Sequence, residues 1–231
     1  HCEGLHVQNS NSRALRITGG WIKIVRNRFY NVLNGCSHGD TSVQDPIIII
    51  KNNHIENVSQ TTGSVSEYGE GIEINMHNAH NACAIVGENY IAGFGEEGID
   101  CNAQYAYVYE NEIVMQEPHN LTSRGLTVGA IKRTNAIIVQ NTIRNIWETG
   151  ISINSSDNVY AHDNVFVGRS GDFPNSQAVR LRDSAKRVIL TKNNFQKLGV
   201  GVKIEQSETY KRVSANIAST YTDVTDETLE D

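Results

Sequence analysis

The sequence predicts an all-β solenoid of three-strand coils. Two recurring segments and their period predict it: an apolar-x-apolar-x-x-Asn-x-apolar frame, a Gly-apolar-x-apolar segment ahead of most copies, and apolar positions spaced by two. The frame reads Ile22/Ile24/Asn27/Phe29, Ile48/Ile50/Asn53/Ile55, Ala84/Val86/Asn89/Ile91, Ala106/Val108/Asn111/Ile113, Ala136/Ile138/Asn141/Ile143, Val159/Ala161/Asn164/Phe166 and Val188/Leu190/Asn193/Phe195. A degenerate eighth copy reads Tyr210/Arg212/Ala215/Ile217. Successive asparagines stand between 22 residues (Asn89 to Asn111) and 36 residues (Asn53 to Asn89) apart. A repeat of that length with a strand period means one strand-turn-strand unit stacked on the next.

Each element has a reason. The first strand opens on glycine in Gly71-Ile72-Glu73-Ile74, Gly98-Ile99-Asp100-Cys101, Gly125-Leu126-Thr127-Val128, Gly150-Ile151-Ser152-Ile153 and Gly201-Val202-Lys203-Ile204, and on alanine in Ala178-Val179-Arg180-Leu181. Leu15-Arg16-Ile17 is expected to be the first member, with the coil near residue 40 unassigned. The second strand ends before the asparagine, and the third begins with the Ile or Phe after it. Asparagine at a sharp corner tolerates the left-handed region, and its amide can donate and accept along the stack. Residues beyond the shortest coil are loops: Leu33 to Pro46, Ser59 to Glu70, Gln116 to Arg124 and Gly168 to Gln177, the expected walls of a groove. One β-helix domain is expected over 1–220, with 221–231 an acidic tail or partial cap.

Composition narrows the function. The net charge of the 231 residues is -6 and the basic residues are dispersed, so no nucleic-acid partner is expected. The longest apolar run, Ile47 to Ile50, is a core strand far short of a membrane span, so a soluble protein is expected. The chain starts at His1 without methionine, and its first strand has nothing before it to close the stack. More chain, or a partner, is expected at that end. Cys2, Cys36, Cys83 and Cys101 have no metal-like spacing and read as buried free thiols, with Cys101 in an inward position.

The two segments together resemble the right-handed parallel β-helix proteins of the pectin lyase-like superfamily, over roughly residues 4 to 220. That group includes pectate lyases, polygalacturonases, alginate epimerases and lyases, phage tailspike endoglycosidases and noncatalytic adhesins. The resemblance implies the fold and is nearly silent on reaction. The adjacent aspartates and Gly-His-Gly of polygalacturonases and the Arg-x-Pro-x-x-Arg of pectate lyases are absent. Of the Tyr-Gly-x-Asp-Pro-His segment of mannuronan epimerases only Tyr68-Gly69 and His77 have counterparts.

Stacking converts sequence into surface columns with rungs about 4.8 Å apart. The outward column of the first strand reads Arg16, Glu73, Asp100, Thr127, Ser152, Arg180, Lys203; the one before glycine reads Glu70, Glu97, Arg124, Thr149, Gln177; the one after reads Asn75, Asn102, Gly129, Asn154, Arg182. Glu73, Asp100, Glu70 and Glu97 are the candidate catalytic groups, because crowded carboxylates must protonate, bind a cation or turn apart. The Glu73/Asp100 pair can span the separations glycosidases use. Asn75, His77, Asn102, Arg124, Arg180, Arg182 and Lys203 are the candidate substrate contacts. No cofactor is required on this reading, although Ca²⁺ would serve a lyase by stabilising an enolate. The second-strand column Lys23, Ile49, Ile85, Tyr107, Ile137, Tyr160, Ile189, Lys211 presents an apolar stripe, expected to be covered by a loop, by further chain or by other copies, as in a homotrimer. Three readings stand: a secreted or virion-borne polysaccharide hydrolase, a lyase or epimerase on a uronate polymer, and a noncatalytic sugar-binding or structural β-helix.

Overall fold

The structure is a computed structural model that describes residues 1–39, 43–58, 69–76, 79–115, 123–129, 134–169, 175–183, 185–205, 211–214 and 217–218. Among them every regular element is a strand, every pairing is parallel, and the coil repeats for about seven turns. No helix is long and apolar enough to cross a membrane among these residues. The tail from 221 lies outside the described residues.

The second strands form one nine-stranded sheet, running from Cys2–Glu3 through Trp21–Val25, Ile47–Lys51, Cys83–Gly87 and Tyr105–Tyr109 to Lys211–Ser214. First and third strands make the other two faces. The strand Arg28–His38 joins those faces, since Arg28 to Val32 pairs with the third strand His54–Val58 and Cys36 to His38 with the first strand Ile72–Asn75. This corrects the expected loop from Leu33, because residues 33–38 continue a strand. It also fills the unassigned coil: Gly35-Cys36-Ser37-His38 is the missing first-strand copy, with Arg16 over Ser37 and Ser37 over Glu73. Its inward residues are Cys36 and buried His38 rather than two aliphatics, which hid it from the pattern.

The inward positions pack as the period of two requires. Ile72, Ile74, Ile99, Cys101, Leu126, Val128, Ile151 and Ile153 are closed to solvent, as are Ile48, Ile50, Val86 and Val108 across the prism. All four cysteines are free thiols; Cys36 and Cys101 are buried, while Cys2 and Cys83 are half-buried. Glycine opens the first strand because the bend from the third strand stacks too tightly for a side chain. A Cβ on Gly71 would lie 2.5 Å from the Gly98 carbonyl oxygen, and one on Gly98 2.6 Å from that of Gly125.

The asparagine corner is a continuous ladder from Asn27 to Asn193. The Oδ1 of Asn111 accepts from the backbone N–H of Asn89 (3.1 Å) and from its Nδ2 (2.9 Å), and Asn141 repeats this for Asn111 at 3.0 and 2.9 Å. Each Nδ2 also donates to main-chain carbonyls, as Asn111 does to Val86 and Tyr109. The left-handed residue is not the asparagine but the one before it: Arg26, Asn52, Glu88, Glu110, Gln140, Asp163 and Lys192 have φ from 50° to 57°. The preceding residue turns the chain, which leaves the asparagine amide free to point along the stack.

Two further expectations change. The last copy is shifted by one residue, since Lys211 pairs with Val188 and Val213 with Leu190. That register sets Arg212, not Lys211, beside Ile189, and places the asparagine position at 216, outside the described residues. On the second-strand face Tyr107, Ile137, Tyr160 and Ile189 are exposed, Ile49 and Ile85 half-buried, and Trp21 is 77% exposed. Tyr107 stacks on Tyr109 and Tyr160 on His162, so rings along the strands shield part of the stripe.

Removing one rung of the ladder leaves two buried donors of the neighbouring asparagine without an acceptor. Asn141→Ala is expected to destabilise the chain by about 3 kcal/mol, read as a lower midpoint in denaturant with an unchanged slope. A loss below about 0.5 kcal/mol would show that the ladder does not hold the stack together.

Candidate active site

The first-strand columns are aligned in the register expected. Glu73 lies over Asp100, Asp100 over Thr127, Thr127 over Ser152, Ser152 over Arg180, and Arg180 over Lys203. Glu97 pairs with Arg124, Arg124 with Thr149 and Thr149 with Gln177. The column is nevertheless not open surface: Asp100 is 8% exposed, and Thr127 and Ser152 are fully buried although they face away from the core. Most of the expected groove walls, 59–68, 116–122 and 170–174, lie outside the described residues, as does His77.

Glu70, Glu97 and Asp100 converge, with one oxygen of each within 4.8 Å of the others. Their remaining contacts differ. Glu97 is ion-paired: its Oε1 accepts from Arg124 Nη1 and from Thr127 Oγ1, each at 2.7 Å. Asp100 Oδ2 accepts from Asn102 Nδ2 at 2.9 Å, while its Oδ1 is buried and has no partner among the described residues. Glu70 accepts from Asn34 Nδ2 at 3.1 Å. Glu73 adjoins Glu70, sharing the Asn34 donor with it (3.4 Å), and accepts from Ser37 Oγ at 2.6 Å and from Asn75 Nδ2, with Arg13 3.9 Å away. Asn102 in turn donates to Asn75 at 3.3 Å, so the two asparagines expected as substrate contacts also brace the carboxylates.

Environment separates the acids. Burial, then repulsion from Glu73, Asp100 and Glu97, pushes Glu70 up to about 10. Burial, then repulsion from Glu97 and Glu73, raises Asp100 well above the ordinary aspartate value. Burial also raises Glu96 and Glu148. The cluster therefore carries a proton at neutral pH beside an ion-paired Glu97, the division of labour that acid–base chemistry needs. A Ca²⁺ ion takes six to eight oxygens. The described cluster fits that poorly, since Arg124 occupies Glu97 and Asn102 occupies one oxygen of Asp100.

The late cations stand apart from the cluster. Arg180 donates to Glu205 Oε2 through Nε (2.9 Å) and Nη2 (2.6 Å), Lys203 pairs with Glu205 at 2.5 Å, and Arg182 with Asp183 at 2.6 Å. Against the opposing effect of burial, hydrogen bonds from Lys203 and Arg180 hold Glu205 below the usual glutamate value. Sequence reasoning missed Asn34 and Ser37, both donors to the acids. The signal was there: Asn34 and Glu70 are 36 residues apart, the spacing of the ladder pair Asn53 and Asn89. It also missed Glu96, Trp147 and Glu148, which sit at the bend just before the glycine column.

The architecture is that of a right-handed parallel β-helix. Among solved structures, the Dettilon tailspike protein matches with a TM-score of 0.52 and 16% identity, over 87% of this chain and 43% of that one. The chain thus spans less than half the length of that tailspike. No protein-family model matches the sequence, and no curated protein does.

The raised Glu70 gives stability a sign with pH. Below the ordinary value of 4.5 the group is protonated in both folded and unfolded chains; between there and about 10 only the unfolded chain releases the proton. Stability from this group is therefore lost as pH rises through that window. The melting temperature of Glu70→Gln is expected to fall less than that of the wild type between about pH 5 and about pH 9. Parallel curves would mean that Glu70 is ionised in the folded chain.

Proposed function

We propose that the protein cleaves glycosidic bonds of a polysaccharide through the Glu70, Glu97 and Asp100 cluster. The observation that carries this reading is the convergence of a proton-holding carboxyl group with an ion-paired one across a desolvated face. Glu70, the less enclosed of the two raised acids, donates the proton to the leaving oxygen. Glu97, oriented by Arg124 and Thr127, faces the anomeric carbon as nucleophile. Asp100 keeps the proton within the cluster, and Glu73, Asn75 and Asn102 position it. Close oxygens favour retention, since retaining enzymes hold the two groups about 5 to 5.5 Å apart and inverting ones about 6.5 to 9.5 Å.

The lyase and epimerase alternative lacks support at this cluster, because its cation is already engaged with Glu97 and the later cations with Glu205 and Asp183. The noncatalytic alternative uses the same face only to hold sugar. On the hydrolytic reading the protein works outside a cell or on a virion, where polysaccharides are met. The exposed stripe Tyr107, Ile137, Tyr160 and Ile189 is assigned to contact with further copies in a closed homo-oligomer such as a trimer.

Glu70→Gln and Glu97→Gln are each expected to lower reducing-end release by about 10² or more, with EDTA without effect and without absorbance from unsaturated uronates. Full activity in both variants would remove the cluster from the chemistry, and loss of activity in EDTA would make it a cation site. Light scattering is expected to show an oligomer; a monomer would leave the stripe without the assigned partner.

A further inference from the structure

Beyond the acid cluster, the same face holds polar atoms without partners. Arg124 Nε, Trp147 Nε1, Glu148 Oε2 and Gln177 Oε1 are buried side-chain atoms with no hydrogen-bond partner among the described residues, and Asp100 Oδ1 continues the series. Trp147 is 7% exposed and Gln177 5%. They make a strip over neighbouring rungs, which Trp147 joins two residues ahead of Thr149 with its ring packed against the hydrophobic core. Glu97, Arg124, Thr149 and Gln177 are register partners on consecutive rungs. Glu148 directly precedes Thr149 and its main-chain carbonyl accepts the backbone N–H of Gln177 at 2.7 Å, and the Gln177 side-chain amide donates to Thr149 Oγ1 at 2.9 Å. Two rung spacings, about 10 Å, separate Arg124 from Gln177, room for more than one sugar ring along the axis.

A native chain leaves only a few buried polar atoms unmatched, and here five fall on neighbouring rungs; each costs stability until a ligand or water supplies the missing partner. The atoms here are of both kinds. Arg124 Nε and Trp147 Nε1 can only donate, while Gln177 Oε1 can only accept. A sugar hydroxyl does both, so a hydroxyl-bearing ring can satisfy the whole set. A carboxylate has no hydrogen to give Gln177 or an ionised Glu148. Charge points the same way. Glu96 and Glu148 adjoin the strip beside Glu97 and Asp100, with Arg124 between them, and the later cations are neutralised by Glu205 and Asp183. An anionic ring brought onto this desolvated face would lose its hydration and find these cations already paired.

We propose that the strip Arg124–Trp147–Glu148–Gln177 is a glycan subsite that takes uncharged, hydroxyl-bearing sugar units and rejects uronates. The inference rests on the glycan-cleaving reading above and adds its substrate class. The unmatched atoms are closed to solvent in the free chain, so Glu148 and Gln177 turn outward as the sugar enters.

The test is an array of purified bacterial surface polysaccharides, neutral and uronate-bearing, with polygalacturonate and alginate as polyanionic controls, probed with the wild-type chain in the cold. Neutral members are expected to bind at least about a hundredfold more tightly than uronate-bearing ones. Preferential binding of a uronate-bearing member overturns the substrate class while leaving the cleaving cluster standing. Binding and cleavage of nothing on the array would end both. On the best neutral member, Trp147→Phe keeps the packed ring and removes only the donor; Gln177→Leu removes the acceptor at similar volume. Each is expected to raise KM about three- to tenfold with kcat and melting temperature nearly unchanged. Unchanged KM in both, or a fall in kcat alone, would show that the strip does not contact the glycan.

Discussion

Everything in this protein depends on the hydrogen bonds that run along the axis and seat each residue over its counterpart one coil away. Parallel pairing supplies most of them, and the asparagine ladder closes the corner where the strand ends. Because one Oδ1 receives two donors from the rung behind it, a slip of a single rung would leave both unsatisfied. The corner therefore locks the register of the whole stack. The left-handed turn is delegated to the preceding residue, so side chains as different as Arg26, Glu88, Gln140 and Lys192 can make it.

Such a register has a chemical consequence. Like residues are forced together, which suits isoleucine and asparagine and penalises glutamate. On the first-strand face the chain places acids on adjacent rungs anyway, under cover from solvent. The repulsion is relieved unequally: Arg124 and Thr127 hold Glu97, Ser37 and Asn75 hold Glu73, while Glu70 and Asp100 are pushed toward the protonated form by burial and by their neighbours. A stack that served only as a spacer would gain nothing from this arrangement. The unmatched polar atoms that extend from it along the axis fit the same logic, since a rigid frame can hold donors and acceptors in readiness for a ligand.

The two exposed faces of the prism contrast. The first-strand face buries polar side chains, whereas the second-strand face exposes tyrosine and isoleucine, with Trp21 the most exposed of its large apolar side chains. Soluble proteins tend to arrange the reverse, and the proposed function gives each face its own task, a polar ligand on one and apolar contact on the other. The stacked Tyr107–Tyr109 and Tyr160–His162 pairs lie flat along their strands, giving that face a level contour.

How much was legible follows from what repeats. The frame anchored on Asn27 through Asn193 carries its own period, so coils, core and outward columns could be read off, and Glu73, Asp100, Glu70 and Glu97 could be placed on neighbouring rungs. Where a copy breaks the pattern the reading slipped: Gly35-Cys36-Ser37-His38 hides behind a thiol and an imidazole, and the last copy moves by one residue. By itself the sequence determined the fold and which residues share a column, because apolar period and corner chemistry are local properties. Only the tertiary structure decided that the column is buried, that Arg124 reaches Glu97, that burial raises Glu70 and Asp100 and that the late cations are occupied. Burial and side-chain pairing depend on neighbours 22 or more residues away, and no local pattern records them.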